Sequence, residues 1–328
     1  MNSKIKLALK ILLVSALLYL LAKKCNLSVE QTGRAITNWQ YSVPGACVFI
    51  LTSFLGVIRW QILLKAHDIK LPFWRTFQLT YIGVFFNIAL PGAVSGDLIK
   101  AFYVGKESEG RKTKAFGSIL FDRVAGLSAL VVLSASAFVI AMAGGSDSGV
   151  LRALQMIITL AAAVVFVFYG YLFLVKEHHD PVLRILKTIK AKFKKLGFIS
   201  DVYEALRHYH SHRLAVLQVL ALSLVIHLAI GWGSLEFARA LGDTQLSLVS
   251  LYVVVPLGLL AIAVPVLPGG IGTGHAAFAW LFTLLGSQSG ANIFTIYVLT
   301  QMIVSGFGGL IYLRFRASEP VPTVVATA

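Results

Sequence analysis

Charged residues are scarce in this chain, and their scarcity excludes an ordinary soluble protein. They make up 13% of its 328 residues, about half of the roughly 25% that a soluble domain carries. Hydrophobic residues make up 57%, and the mean hydropathy is +0.80. We therefore predict an all-α, polytopic membrane protein that forms a single integral-membrane domain over residues 1–328. No polar stretch is long enough for a separate catalytic domain, so we do not expect an enzyme.

Cysteine is nearly absent, which excludes a disulfide framework. The two cysteines, Cys25 and Cys47, fit no metal-binding spacing. The histidines within residues 176–213 follow no ligand pattern, and no ATP-binding motif occurs in the chain. We therefore predict neither a metal nor another cofactor, and any uphill transport would have to use a gradient or coupled synthesis.

Acidic residues are half as common as basic ones, 14 against 29, which gives a net charge of +15. The basic excess is concentrated in residues 176–213, a loop between apolar runs. The positive-inside rule predicts that this loop is cytoplasmic, with both chain termini on the same side. Its expected neighbours are anionic lipid headgroups rather than nucleic acid. Arg59, near the inner end of its run, is interpreted as snorkelling towards that face.

Six apolar runs are long enough to cross a membrane. They are residues 5–22, 44–64, 115–142, 153–175, 214–238 and 292–313. Two further runs, 76–104 and 247–285, are interrupted by proline and glycine. Tracing the basic loops from side to side requires the first interrupted run to enter and leave at the cytoplasmic face, and the second to do so at the outer face. We predict six full spans plus two re-entrant helical hairpins.

The same set of elements occurs twice in reversed orientation. Residues 44–142 contain a span, a hairpin and a span, and residues 214–313 contain their counterparts with every direction inverted. This pattern predicts an inverted-topology repeat, the architecture with which many transporters alternate between the two faces of a membrane.

Two breaks rich in proline and glycine mark the predicted hairpin tips. They contain Pro91 and Gly92 in the first hairpin and Pro268, Gly269, Gly270 and Gly272 in the second. We predict that Ser95 and Thr273, which follow the breaks, are the N-caps of the short return helices. Both helices would begin near the bilayer midplane with unpaired amides and a partial positive charge. Two such ends predict an anion site that suits a phosphate headgroup better than a metal ion.

Ionisable residues near the breaks are the candidate substrate-binding or coupling groups. Asp97 either satisfies the amides of its helical turn or acts in transport as a titrating or cation-pairing group, and Lys100 on the same helix face would neutralise it. Arg123 either binds a lipid phosphate or pairs with the adjacent Asp122 and fixes the topology at the boundary. His275 either couples transport to a proton or is structural.

Three motifs occur in a fixed order along the chain. They are Asn87-x-x-Leu90-Pro91-Gly92-x-x-x-Gly96-Asp97-x-x-Lys100, Asp122-Arg123-x-x-Gly126-Leu127 and Pro265-x-x-Pro268-Gly269-Gly270-Ile271-Gly272. Together they resemble the lysylphosphatidylglycerol synthase transmembrane-region family, also described as flippase-like domain proteins, over about residues 5–315. The resemblance implies a multi-pass protein of a bacterial or archaeal cytoplasmic membrane, related to the lipid-moving half of multiple peptide resistance factors but without their aminoacyl-transferase domain. Family members often have arginine at the position of Lys100 and an acid at that of His275.

These observations predict a lipid flippase that moves a phospholipid headgroup, aminoacylated or otherwise modified, between the leaflets of the inner membrane. Arg123, Lys100 and the helix N-termini would hold the phosphate, and Asp97 would balance the charge or bind an amine. The alternatives are a secondary transporter of a small soluble anion, an intramembrane hydrolase that uses Ser95 and His275, and an accessory subunit of a lipid-modifying enzyme. The expected partners are membrane phospholipids with anionic headgroups. Association of the chain with copies of itself is a further alternative.

Overall fold

The computed structural model describes residues 33–35, 37–90, 95–108, 111–144, 149–176, 179–193, 197–263 and 272–315. Within these ranges all regular structure is helical, and no described residue lies in a strand. The helices are α1 (Trp39–Ala66), α2 (Phe73–Ala89), α3 (Ser95–Glu107), α4 (Lys112–Ala143), α5 (Gly149–Leu174), α6 (Pro181–Lys192), α7 (Gly197–Arg207), a 3-10 helix (His208–Ser211), α8 (Arg213–Ala240), α9 (Leu248–Ala263), α10 (Thr273–Thr283) and α11 (Gly290–Arg314).

Five of these helices, α1, α4, α5, α8 and α11, are long and apolar enough to cross a membrane. They coincide with five of the six predicted spans, which confirms the prediction of an all-helical, multi-pass membrane protein. The sixth predicted span, residues 5–22, lies outside the described residues. Helix α9 is apolar but has 16 residues, while α2, α3 and α10 have 17, 13 and 11.

Helices α1 and α8 lie side by side in opposite directions, and each has 28 residues. At one end the Asn38 side chain donates a hydrogen bond to the carbonyl of Ala240 at 2.8 Å. Towards the other end the hydroxyl of Tyr209, which precedes α8, donates to the carbonyl of Leu63 at 3.2 Å. Helices α4 and α11 contact both members of this antiparallel pair, so α1 and α8 form the centre of the bundle.

Helices α2 and α3 form a second antiparallel pair, which is closed at its base. Arg75 near the start of α2 pairs with Glu107 at the end of α3. The flanking loops are also joined, because the guanidinium of Arg111, just before α4, donates to the carbonyl of Asp68, just after α1. The start of α2 and the end of α3 therefore lie at the end of the bundle where α1 ends and α4 begins.

Helices α9 and α10 form a similar pair in the second half of the chain. Gly258 of α9 faces the ring of Phe278 of α10. The Asp243 carboxylate, between α8 and α9, accepts hydrogen bonds from Ser287 at 2.5 Å and Ser289 at 2.6 Å, which lie between α10 and α11. This base is at the end where α8 ends and α11 begins. Because α8 runs opposite to α1, the two helix pairs have their bases at opposite ends of the bundle.

The ends of α1 and α8 are built alike. The second residue after each helix has a left-handed backbone, with φ of +59° at Asp68 and +84° at Gly242. The amide of the next residue then donates to the carbonyl five positions earlier, at 3.0 Å after α1 and 2.9 Å after α8. This is the hydrogen-bond pattern of the Schellman motif. The lateral packing is matched as well, since α2 packs against α11 and α9 packs against α4.

The segment predicted as a basic loop, residues 176–213, is largely helical in its described part. Asp180 caps α6 by accepting a hydrogen bond from the Leu183 amide at 3.0 Å, and it pairs with Arg207 at 2.9 Å. Tyr171 and Tyr203 donate their hydroxyls to the same carboxylate. Burial alone would raise the pKa of Asp180, but these hydrogen bonds and the arginine hold it below its usual value. One buried carboxylate thus fixes α6 and α7 to the end of α5.

Candidate functional site

The predicted hairpin tips are only partly described. Pro91, Gly92, Pro268, Gly269 and Gly270 lie outside the described residues. After each tip the next described residues are helical, because α3 begins at Ser95 and α10 at Thr273.

The predicted N-cap of α10 is wrong by one residue. Gly272 occupies that position with φ +92°, a conformation that glycine adopts without steric cost, so Thr273 becomes the first helical residue. The Gly272 amide donates to Nδ1 of His275 at 3.4 Å. The polar residue three positions into the helix therefore helps to cap it.

A tight junction between α2 and α3 positions the first turn of α3. The Gly96 amide donates to Oδ1 of Asn87 at 2.8 Å, and Nδ2 of Asn87 lies 3.4 Å from Asp97. A Cβ atom on Gly96 would overlap the carbonyl of Gly83, so only glycine allows the two backbones this close. Asn87 and Gly96 thus have a structural role that orients the Asp97 carboxylate.

Asp97 and Asp122 each pair with an arginine from another helix. The Arg123 guanidinium of α4 donates to the Asp97 carboxylate of α3. The neighbouring Asp122 accepts two hydrogen bonds from Arg59 of α1, at 2.7 and 2.9 Å. Asp122 and Arg123 therefore do not pair with each other, because adjacent helical residues point in different directions. Helix α4 is linked through these two residues to both α1 and α3.

Lys100 has a different neighbour from the one predicted. Its ammonium lies 4.0 Å from the centre of the Trp60 ring, a cation–π contact, while Asp97 pairs with Arg123 instead. The side chain is buried, and the Trp60 indole is itself held by a hydrogen bond to Ser118 at 3.2 Å. Asp97, Asp122, Arg59 and Arg123 all act electrostatically on this lysine.

Arg59 is the site residue whose role the sequence interpretation missed. It lies seven residues before α1 ends, so about 10 Å inside that end. Besides its double bond to Asp122, it donates to the hydroxyl of Ser223 on α8 at 3.1 Å. Snorkelling is therefore wrong, because the guanidinium is held inward by partners on two other helices. The hydroxyl of Ser223, within the apolar run 214–238, was the sequence signal that could have indicated a partner for Arg59.

We call Arg59, Asp97, Lys100, Asp122 and Arg123 the charged cluster. It contains three basic side chains and two carboxylates, so its formal charge has an excess of one positive charge. Asp97 and Lys100 are buried, whereas 35% of the Arg123 side chain is exposed. The guanidinium of an arginine has the geometry to pair with a carboxylate or a phosphate, and that of Arg123 belongs to a partly exposed side chain.

His275 belongs to different surroundings. Its Nε2 lies 3.1 Å from the hydroxyl of Thr295 on α11, and its ring meets Phe294 edge-on at 4.8 Å. Since Nδ1 accepts from Gly272, the N-cap of α10, both ring nitrogens have hydrogen-bond partners. Among the described contacts, the structure thus brings Asn87, Gly96, Asp97, Lys100, Asp122 and Arg123 together, while His275 contacts Gly272, Phe294 and Thr295.

Comparison with known proteins agrees with the motifs. The family described as lysylphosphatidylglycerol synthase TM region matches residues 7–310. A UPF0104 membrane protein of Pyrococcus horikoshii is 24% identical over 82% of this chain and 85% of its own length. A UPF0104 membrane protein of Methanothermobacter thermautotrophicus is 23% identical over 71% and 70%, and one of Methanocaldococcus jannaschii is 27% identical over 35% of each chain. No solved structure matches this chain.

Proposed function

The chain belongs to the lysylphosphatidylglycerol synthase TM region family, and from that premise we propose that it is a lipid translocase. It moves a phospholipid headgroup between leaflets, past the charged cluster, while the acyl chains stay in lipid. The observation that carries the proposal is the surplus positive charge of the cluster, which lies inside helices of a membrane protein. Charges at such depth are costly and mark substrate pathways.

We propose that the helix pairs α2–α3 and α9–α10 are re-entrant hairpins within an inverted-topology repeat. Their helices have 11 to 17 residues, and even the longest reaches only about 25 Å against a hydrocarbon core of about 30 Å. The opposite bases of the two pairs support this topology. The similar ends of α1 and α8 support it too. The packing is also matched, because α2 lies against α11 and α9 lies against α4. With the span 5–22, this gives six spans and two hairpins.

We propose that an incoming anion competes with Asp97 for Arg123. A lipid phosphate that binds Arg123 takes the place of the Asp97 carboxylate, and Lys100 adds a second positive charge. The released Asp97 carboxylate is then available for an amine on the headgroup, such as that of an aminoacylated lipid. Since the matched family region is the transmembrane part alone, with no synthase catalytic domain detected, we propose transport without synthesis.

We also propose that anionic phospholipids contact the surface of α6 and α7. Exposed Ile185, Phe198 and Ile199 lie on these short helices together with the exposed, basic Arg184 and Lys192. Helices with exposed apolar residues and lysines lie in the interface of anionic membranes. We propose that α6, α7 and both termini lie on the cytoplasmic side of the membrane, as the positive-inside rule predicts.

Leaflet exchange of fluorescent phospholipids in reconstituted vesicles tests the proposal. We expect exchange faster than in empty vesicles for at least one headgroup, and a loss of about tenfold or more in Arg123→Gln, because one charge-assisted hydrogen bond is worth about 1.5–3 kcal/mol. Arg239→Gln is the matched control, since Arg239 pairs with Glu236 outside the charged cluster at 2.7 Å. Exchange equal to that of empty vesicles for anionic, zwitterionic and aminoacylated lipids would refute the proposal.

A transporter of a small soluble anion is the second candidate, because the charged cluster recognises an anion whether or not acyl chains are attached. Uptake of labelled phosphate or sulfate into the same vesicles separates the two functions. Uptake without lipid exchange would favour the soluble anion.

A further inference from the structure

A groove of about 480 Å³ lies between α2 and α11, away from the charged cluster. Its walls include Trp74 and Gln78 of α2 and Phe307, Leu310 and Arg314 of α11. This volume is within the usual range of small-molecule sites. We call it the α2–α11 groove.

The α2–α11 groove is apolar along its length and polar at one end. Leu310 is 61% exposed and Trp74 is also exposed, so the groove opens to the side of the bundle, which faces lipid. At the end where α11 terminates, exposed Arg314 adds a cation. Tryptophan and arginine together are typical of the level of the lipid headgroups.

The equivalent seam in the other half of the bundle is filled. There α4 packs against α9, and Leu154 and Ile158 of α5 are buried in the same apolar cluster as Ala137 and Val253. Among the described residues, the seam between α2 and α11 instead has an open cleft of about 480 Å³. The two matched seams therefore differ: the α4–α9 seam is filled by side chains of α5, and the α2–α11 seam has room for a ligand.

We propose that the α2–α11 groove binds an anionic glycerophospholipid of the leaflet at the C-terminal end of α11. The acyl chain lies along Phe307 and Leu310, and the phosphate pairs with Arg314. This inference deepens the proposed function. It rests on that function for the route of the lipid beyond the groove, where Tyr81, Val57 and Val304 form a buried layer.

The alternative occupant is the apolar run 5–22, which is outside the described residues. Its beginning carries Lys4, Lys6 and Lys10. In the predicted orientation these lysines are on the same side as Arg314, and like charges disfavour their contact. A phosphate is complementary to Arg314, so the charge pattern favours lipid over this segment.

A photo-crosslinking residue in the full-length protein identifies the occupant. Benzoylphenylalanine replaces Leu310, or Leu160 of α5 as the matched control, which is 60% exposed. The protein is reconstituted in equimolar phosphatidylglycerol and phosphatidylcholine, irradiated, and its adducts are identified by mass spectrometry. Both positions are on exposed helix faces, and unchanged thermal stability verifies folding.

We expect lipid adducts at position 310 that are enriched in phosphatidylglycerol about fivefold over those at position 160. This factor corresponds to about 1 kcal/mol per arginine near anionic lipid. Arg314→Gln should abolish the enrichment and Arg314→Lys should retain it. An adduct with a peptide from residues 1–32, or equal headgroup selection at positions 310 and 160, would overturn the proposal. Enriched adducts in a protein without leaflet exchange would support the groove and refute translocation.

Discussion

Asp122→Asn should destabilise the protein, because it leaves the Arg59 guanidinium without its counter-charge inside the bundle. The pair is bidentate, at 2.7 and 2.9 Å, and the two side chains are 14% and 15% exposed. Removing one member of a buried ion pair costs about 3–5 kcal/mol. Since some exposure remains, we expect the lower end of this range. Ser223, the other partner of Arg59, is neutral and does not replace the lost charge.

The double variant Arg59→Met/Asp122→Leu should be at least as stable as the wild type. It removes both charges, so the desolvation of the pair and the loss of their attraction cancel or favour the variant. Equilibrium unfolding in mixed micelles, titrated with dodecyl sulfate and followed by tryptophan fluorescence, gives the free energies of unfolding. Glu204→Gln is the control, because the Lys187–Glu204 pair lies 3.6 Å apart on the surface and should have little effect.

Equal losses of unfolding free energy in Asp122→Asn and in the double variant would refute this explanation. Removal of Arg59 would then not relieve the loss, so an unpaired guanidinium would not be its cause. A loss in Asp122→Asn no larger than in Glu204→Gln would also refute it.

Three further outcomes are expected. Gly96→Ala should lower the free energy of unfolding by about 1–3 kcal/mol or more, because its Cβ overlaps the carbonyl of Gly83, while Gly56→Ala, with open space around it, should not; equal losses in both would contradict the junction. Lys100→Met should keep the protein folded by thermal melting but lower lipid exchange about tenfold, because it removes the surplus charge; full exchange would exclude this lysine from the site. Burial and the positive charges nearby lower the pKa of His67 from 6.5 to about 3. The folded state therefore binds fewer protons, and stability that is complete above pH 6.5 should decline towards pH 3, by about 2 kcal/mol at pH 5. Thermal melting of His67→Phe should have a shallower pH dependence over this range, and an unchanged slope would refute it.

The membrane class and the positions of the spans were predictable, because apolar runs are a local property of the chain. The runs 44–64 and 214–238 became helices α1 and α8 with a few more residues at each end. The folded state of residues 176–213 was missed, although the spacing of Leu183, Leu186 and Ile189 contained a helical signal. High basic charge favoured a loop interpretation, which a buried carboxylate, Asp180, overrides by joining α6, α7 and α5.

The pairing within the charged cluster was not predictable from spacing. Asp97 and Lys100 are three residues apart on one helix, and Asp122 and Arg123 are adjacent, so local rules suggested local pairs. In the structure the two described ion pairs of the cluster each join different helices. The backbone contact of Gly96 with Gly83 sets the distance between α2 and α3 and thereby brings Asp97 to Arg123.

The sequence by itself determined that this chain enters a membrane, how many long apolar helices its described part contains, and to which family it belongs. Only the tertiary structure decided which carboxylate meets which cation, that Arg59 turns inward, and that the described residues of α2 and α11 leave a groove between them. Hydrophobicity and motif order are properties of the linear sequence, whereas ion pairs and grooves depend on distances between residues that are far apart in sequence.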